Sequence, residues 1–275
     1  MPNHVENQVT LSGNEQDIKA LWVGVKSSES EFDMNKYFPM PSELEDFVSP
    51  TRILTKEEYD EQEKKIANND LTESEKKFGI SRGMTKKMAD EFTIKYGCSD
   101  WYSWKCQNWG TKWGAYDIFV SDEYNFSFDT AWSTPFPSMV KLSELFPNVT
   151  ISVRYADEDF GHNVGEYTLK GGELIEENIP IGGSIEALTL AMDIRGDNEY
   201  YLYEYLCEVE ESEIEQSEFV QTLIKLAHSE GNLVDEYPLG VLKLLEEYAV
   251  ADEQYERASI IKNMIAEKQQ ETKEN

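Results

Sequence analysis

Four of the six tryptophans fall within the fifteen residues 99–113, SDWYSWKCQNWGTKW. Indole surface at that density is not left in water, so any fold open to this chain must seat the segment against a core. Trp101, Trp104 and Cys106 are spaced to share a helical face, and Gly110 is the residue to end that helix. Two short apolar runs follow, 115–120 and 124–128, joined by Ser121-Asp122-Glu123. They read as a β-hairpin.

The rest of the first half supplies a sheet and its helices. Val5, Val9 and Leu11 alternate along a strand interrupted at Asn7, and Ser12-Gly13-Asn14 closes it with turn residues. Asn14 then caps a predicted helix over 15–26, with Ile18, Leu21, Trp22 and Val25 at helical spacing. Residues 31–38 read as a further strand, stopped by Pro39 and Pro41. From about 42 to 110 a long insertion rich in Glu and Lys includes an exposed helix over 56–69 with the same-face pair Glu61 and Lys65. A helix over 138–146 follows Pro135 and Pro137. It leads to a strand with Val149, Ile151, Val153 and Tyr155 on its apolar face, and an extended piece over 166–169 ends near Gly171-Gly172.

This order predicts an α+β domain over 1–172: a ferredoxin-like antiparallel sheet with helices on one face and a helical insertion. From Glu173 onward 25 acidic residues stand against 7 basic ones, and the pattern reads as an all-α region over 173–275. Its helices are expected over 185–194, 199–208, 213–229 and 238–268, the last as a pair or one long helix, with Phe219, Leu223 and Leu226 forming an apolar stripe.

Charge narrows the partners. Twenty-five Lys and Arg against 54 Asp and Glu give a net charge of −29, which repels nucleic acids and anionic lipid alike. The balance suits a basic protein partner, or mimicry of a nucleic acid toward a protein that binds one; a surface kept charged for solubility is the plainer reading. The three cysteines, Cys98, Cys106 and Cys207, form neither a disulfide framework nor a zinc motif. The first residues lack a basic leader and no long apolar window occurs, so a cytoplasmic protein without a membrane segment is expected.

Five separated stretches carry a family resemblance: residues 1–7 (MPNHVEN), 38–41 (FPMP), 109–117 (WGTKWGAYD), 130–137 (TAWSTPFP) and 154–158 (RYADE). Together they resemble the YubB-type ferredoxin-like family met in phages, plasmids and pathogenicity islands. The resemblance spans roughly residues 1–170 and implies a fold and a mobile-element setting, without an activity. The C-terminal run from Leu245 to Lys262 resembles the helical hairpin by which the UvrB and UvrC repair proteins pair. That likeness implies docking through Tyr248, Tyr255, Ala258, Ile261 and Ile265, onto a partner or a second copy; packing on the chain's own core is the alternative.

The strongest candidate ligand site is the loop 108–113, where Trp109, Gly110, Thr111, Lys112 and Trp113 offer hydroxyl and ammonium donors between two indoles. Asn3 and Arg154 are expected to complete that pocket. In the alternative, Gly110 merely turns the chain while the indoles pack inward. Asp157, Glu158, Asp159, His162 and Asn163 supply oxygen and imidazole groups but match no calcium loop, so an acidic turn is expected there and no metal. With only His4, His162 and His228, no G-x-S-x-G, and no phosphate-cradling spacing at Gly171-Gly172 or Gly182-Gly183, neither catalytic residues nor a cofactor is expected. The reading is a non-enzymatic mobile-element protein that binds a host or phage protein, as an inhibitor of a host defence or an acidic decoy. A small-ligand or nucleotide-modifying domain and a homo-oligomeric structural protein are the alternatives.

Overall fold

The computed structural model describes residues 3–196, 206–207, 218–229 and 237–274. The helix expected over 199–208 lies outside them except for Leu206 and Cys207. The strands are β1 (His4–Ser12), β2 (Ile53–Leu54), β3 (Met84–Thr85), β4 (Tyr116–Val120), β5 (Asn125–Ala131), β6 (Thr150–Asp157), β7 (Val164–Lys170) and β8 (Glu173–Asn178). The helices are α1 (Glu15–Val25), α2 (Met34–Tyr37), α3 (Lys56–Ala67), α4 (Glu73–Phe78), α5 (Lys86–Tyr96), α6 (Trp101–Asn108), α7 (Phe136–Leu145), α8 (Ile185–Arg195), α9 (Glu218–Ser229), α10 (Leu239–Ala251) and α11 (Tyr255–Glu274).

The six-stranded sheet has the order β4-β5-β1-β6-β7-β8, with β1 and β4 both antiparallel to β5. Strand β1 therefore sits between β5 and β6, and the chain order β1-α1-β4-β5-α7-β6 is that of the ferredoxin-like fold, with the insertion between α1 and β4. Connections of a few residues then add β7 and β8, too short to allow parallel neighbours. The α+β class and the helical C-terminal region agree with the sequence.

Local chemistry explains the elements. Val5, Val9 and Leu11 are buried on one face of β1, and Asn7 joins them because its amide finds partners inside. The Asn14 side chain accepts from the backbone N–H of Asp17, capping α1, whose Ile18, Leu21 and Val25 are buried. Thr55 and Glu58 form a reciprocal capping box at the start of α3, a helix with no buried residue.

Two readings require correction. Residues 31–38 are not a strand: the Asp33 side chain accepts from the Asn35 N–H and starts the one-turn helix α2, with Phe32, Met34 and Tyr37 buried. The apolar positions imitate an alternating pattern, but Phe32 is held by Phe126 and Phe128 at ring-centroid distances of 5.0 and 4.9 Å, not by a strand partner. Strand β8 was not expected, because its residues are exposed save the half-buried Asn178, so it shows no two-residue burial pattern.

By internal contacts the chain forms two units, Met1–Val153 with Tyr167–Glu177, and Arg154–Glu166 with Asn178–Asn275. The first has its core in β1, α1, β5, α7 and β6, and a small satellite core of Phe47, Met84 and Ala89 in the insertion, where β2 and β3 pair in parallel. In the second, Leu188, Tyr237, Leu242, Leu245 and Ile261 belong to one buried cluster.

Candidate functional site

Helix α6 begins at Asp100, a buried residue whose carboxylate accepts from the Ser103 N–H at 2.9 Å and from the Ser49 hydroxyl at 2.8 Å. That double use ties the Trp-rich segment to the start of the insertion. Trp104 and Trp109 turn inward and meet edge-to-face at 5.8 Å, and the Trp109 Nε1–H donates to the Phe38 carbonyl at 2.9 Å. Trp101 and Cys106 are only half-buried, so the shared face expected with Trp104 is partly open.

The helix ends as expected. Gly110 has φ +82°, and a Cβ there would lie 2.5 Å from Pro137 Cδ. Thr111 is buried, its hydroxyl donating to the Ala131 carbonyl at 2.8 Å and accepting from the Ala131 N–H at 3.1 Å. Thr111 and Trp109 are thus framework groups that lock the loop to β5. Asn3 acts through its main chain: its carbonyl accepts from the Trp132 N–H at 2.9 Å.

What this framework presents outward is a cluster of aromatic rings around Lys112. Trp132 is 43% exposed and Trp113 37%. Lys112 Nζ lies 4.8 Å from the Trp113 ring and 5.0 Å from the Trp132 ring, and Tyr102 meets Trp132 edge-on at 6.0 Å. One helical turn away, Lys105 Nζ lies 5.3 Å from the Trp101 ring and 5.0 Å from the Trp109 ring. In a chain with 54 acids, neither lysine forms an ion pair among the described residues. Indole faces hold both cations instead. Burial lowers the Lys105 pKa, while the Glu45 carboxylate opposes the shift.

Of the residues expected to bind ligand, the structure therefore groups Asn3, Trp109, Gly110, Thr111, Lys112 and Trp113 around one turn. Arg154 belongs to the second unit, where its guanidinium engages Asp193 and lies 3.7 Å from Glu166. Sequence reasoning missed Lys105 and Trp132 as site residues. The signal for Lys105 was available, since Trp101 and Trp109 stand four residues to either side of it on one helical face. Nothing local marks Trp132, whose position follows from its bond to Asn3.

The acidic turn is an internally braced loop. Asp157 accepts from the Asp159 N–H at 2.9 Å and from the Asn163 side-chain amide at 2.7 Å. Among the described residues no group of three His, Cys, Asp or Glu side chains is placed to hold a metal. In the C-terminal hairpin α10–α11, Ala258, Ile261 and Ile265 are buried in the second unit's own core, Tyr248 packs beside them, and Tyr255 is 66% exposed. No helix among the described residues is long and apolar enough to cross a membrane.

Residues 108–196 match the model of the ferredoxin-like domain in Api92-like protein. The match takes in the Trp109–Trp113 loop, Trp132 and Arg154, and leaves out β1, α1, most of the insertion and α9 to α11. The crystal structure of the protein api92 from Yersinia pseudotuberculosis aligns with 13% sequence identity over 66% of this chain and 99% of that one, at a TM-score of 0.30. No curated protein matches the chain.

Proposed function

We propose that the chain is a non-enzymatic binding protein that recognises another protein through the surface made by Tyr102, Lys112, Trp113 and Trp132. The observation that carries this is Trp132, which holds φ at +72° while 43% exposed. The left-handed region costs an L-residue roughly 1–2 kcal/mol, and a half-open indole recovers little of that by burial. Strain retained at an exposed aromatic is typical of a functional position. Tryptophan and tyrosine are also the residues that anchor protein interfaces. Lys112, packed between two indoles, has its ammonium positioned before a partner arrives, which lowers the ordering cost of binding.

The mobile-element part of the proposal rests on the YubB-type resemblance. In that setting the partner is a host or phage protein in the cytoplasm, and blocking a host defence is a fitting outcome. The hairpin stripe contributes less to this reading, because Ala258, Ile261 and Ile265 would have to leave their own core to dock. Affinity capture with the tagged full-length chain, from a lysate of a bacterial host, tests the proposal. One stoichiometric protein retained at low salt by the unaltered chain, and lost with the double variant Lys112→Ala, Trp132→Ala, is the expected result. Retention by both forms, or by neither, overturns it.

A further inference from the structure

We infer that a separate cleft of about 350 Å³ in the first unit, with Lys105 and Asp33 among its lining residues, binds a small zwitterion: an amine and a carboxylate on one apolar body. Its apolar lining comes from Phe32, Met40 and Trp109, all buried residues. The volume lies within the range of small-molecule sites and suits a ligand of amino-acid size.

The polar groups decide the ligand class. Lys105 stands over two indoles, and none of its three N–H donors has a hydrogen-bond partner among the described residues. An ammonium so placed is ready for an anionic group and would make a charge-assisted bond. The same cleft has Glu29, Asp33 and Glu45 among its lining residues. One Asp33 oxygen accepts from the Asn35 N–H at 2.9 Å, and the other accepts nothing among the described residues. The Asn35 side-chain carbonyl is likewise taken by the Met40 N–H at 2.8 Å, which leaves its NH2 group unclaimed.

Three acidic residues in the lining oppose a simple anion, and a simple cation leaves Lys105 unanswered. A ligand carrying both charges meets both demands, with its apolar part against Trp109 and Met40. This site shares no side chain with the Tyr102–Trp132 surface, so its failure would leave the protein-binding proposal standing.

Calorimetric titration of the full-length chain with phenylalanine, phenethylamine and 3-phenylpropionate separates the contributions of the two charges. Phenylalanine is expected to bind at least about tenfold tighter than either half-charged analogue, the worth of one charge-assisted hydrogen bond. Lys105→Met should reduce phenylalanine to the level of phenethylamine. Asp33→Asn keeps the helix cap and should weaken phenylalanine and phenethylamine together, which preserves the test if Lys105→Met does not fold. Binding of either analogue as tight as that of phenylalanine overturns the inference. So does the absence of heat from all three at millimolar concentration, or indifference of phenylalanine binding to Asp33→Asn.

Discussion

The side-chain amide of Asn7 donates to the hydroxyl of Thr130 at 2.9 Å, and neither residue has exposed surface. The same amide reaches the Val5 carbonyl at 2.9 Å, and the Thr130 hydroxyl donates to the Ser133 carbonyl at 2.8 Å, at the turn that carries Trp132. This pair joins the neighbouring strands β1 and β5 to the candidate surface. Asn7→Ala is expected to cost about 2 kcal/mol, by leaving buried groups unpaired and a small void. Urea denaturation should show a lower midpoint at unchanged slope. Adding Thr130→Val should reveal a coupling of about 1 kcal/mol between the sites; strict additivity would show that the bond contributes nothing.

Gly110→Ala should destabilise the chain by about 2 kcal/mol or more, since the new Cβ meets the left-handed backbone penalty and the Pro137 ring at once. Because Trp109 is the preceding residue, the near-ultraviolet circular dichroism of the indoles should change in parallel.

Trp132 separates backbone strain from side-chain contact. Both Trp132→Ala and Trp132→Gly lose the edge-on contact with Tyr102, but only glycine takes the positive φ without cost. Trp132→Gly is expected to be more stable than Trp132→Ala by about 1 kcal/mol, read from paired denaturation curves.

Glu43 gives a local pH signature in the insertion. A 2.7 Å hydrogen bond from the Tyr96 hydroxyl, then its own backbone N–H and Lys95, bring its carboxyl down to about 2. A lowered carboxyl stabilises the folded chain above the ordinary glutamate value of 4.5, and that contribution disappears as pH falls toward 2. Carboxyl-carbon NMR should find Glu43 titrating below the other glutamates, and Tyr96→Phe should raise its midpoint.

Tyr37 acts at the opposite end of the scale. Its buried phenol, within 2.9 Å of the Ser138 hydroxyl, is pushed above the ordinary value of 10.0 by loss of solvent. The raised value means that stability is intact below pH 10 and falls as pH rises beyond it, because the unfolded chain loses that proton first. Tyr37→Phe should flatten the alkaline decline measured by denaturation between pH 9 and about 11.

Much of this architecture is legible in the sequence because it is decided locally. The alternation of Val5, Val9 and Leu11, the Asn14 cap and the glycine that ends α6 each act within a few residues, and each reappears in the structure. Where the sequence misleads, the deciding partner is remote. Phe32 and Met34 imitate a strand, yet Phe32 packs on Phe126 and Phe128, and that packing together with the Asp33 cap favours the one-turn helix α2. Strand β8 has no burial pattern of its own and is defined by its place at the edge of the sheet, beside β7.

For the candidate surface the division is the same. Sequence alone required the Trp-rich segment to be anchored, because four indoles in fifteen residues carry too much apolar area for water. Tertiary structure alone selected which indoles turn inward. Trp109 gains the Phe38 carbonyl as a partner 71 residues away, Trp132 is fixed by the Asn3 carbonyl, and Lys112 is thereby left between two outward rings. Burial tendencies are properties of a segment, whereas hydrogen-bond partners and ring contacts exist only once distant parts of the chain have met.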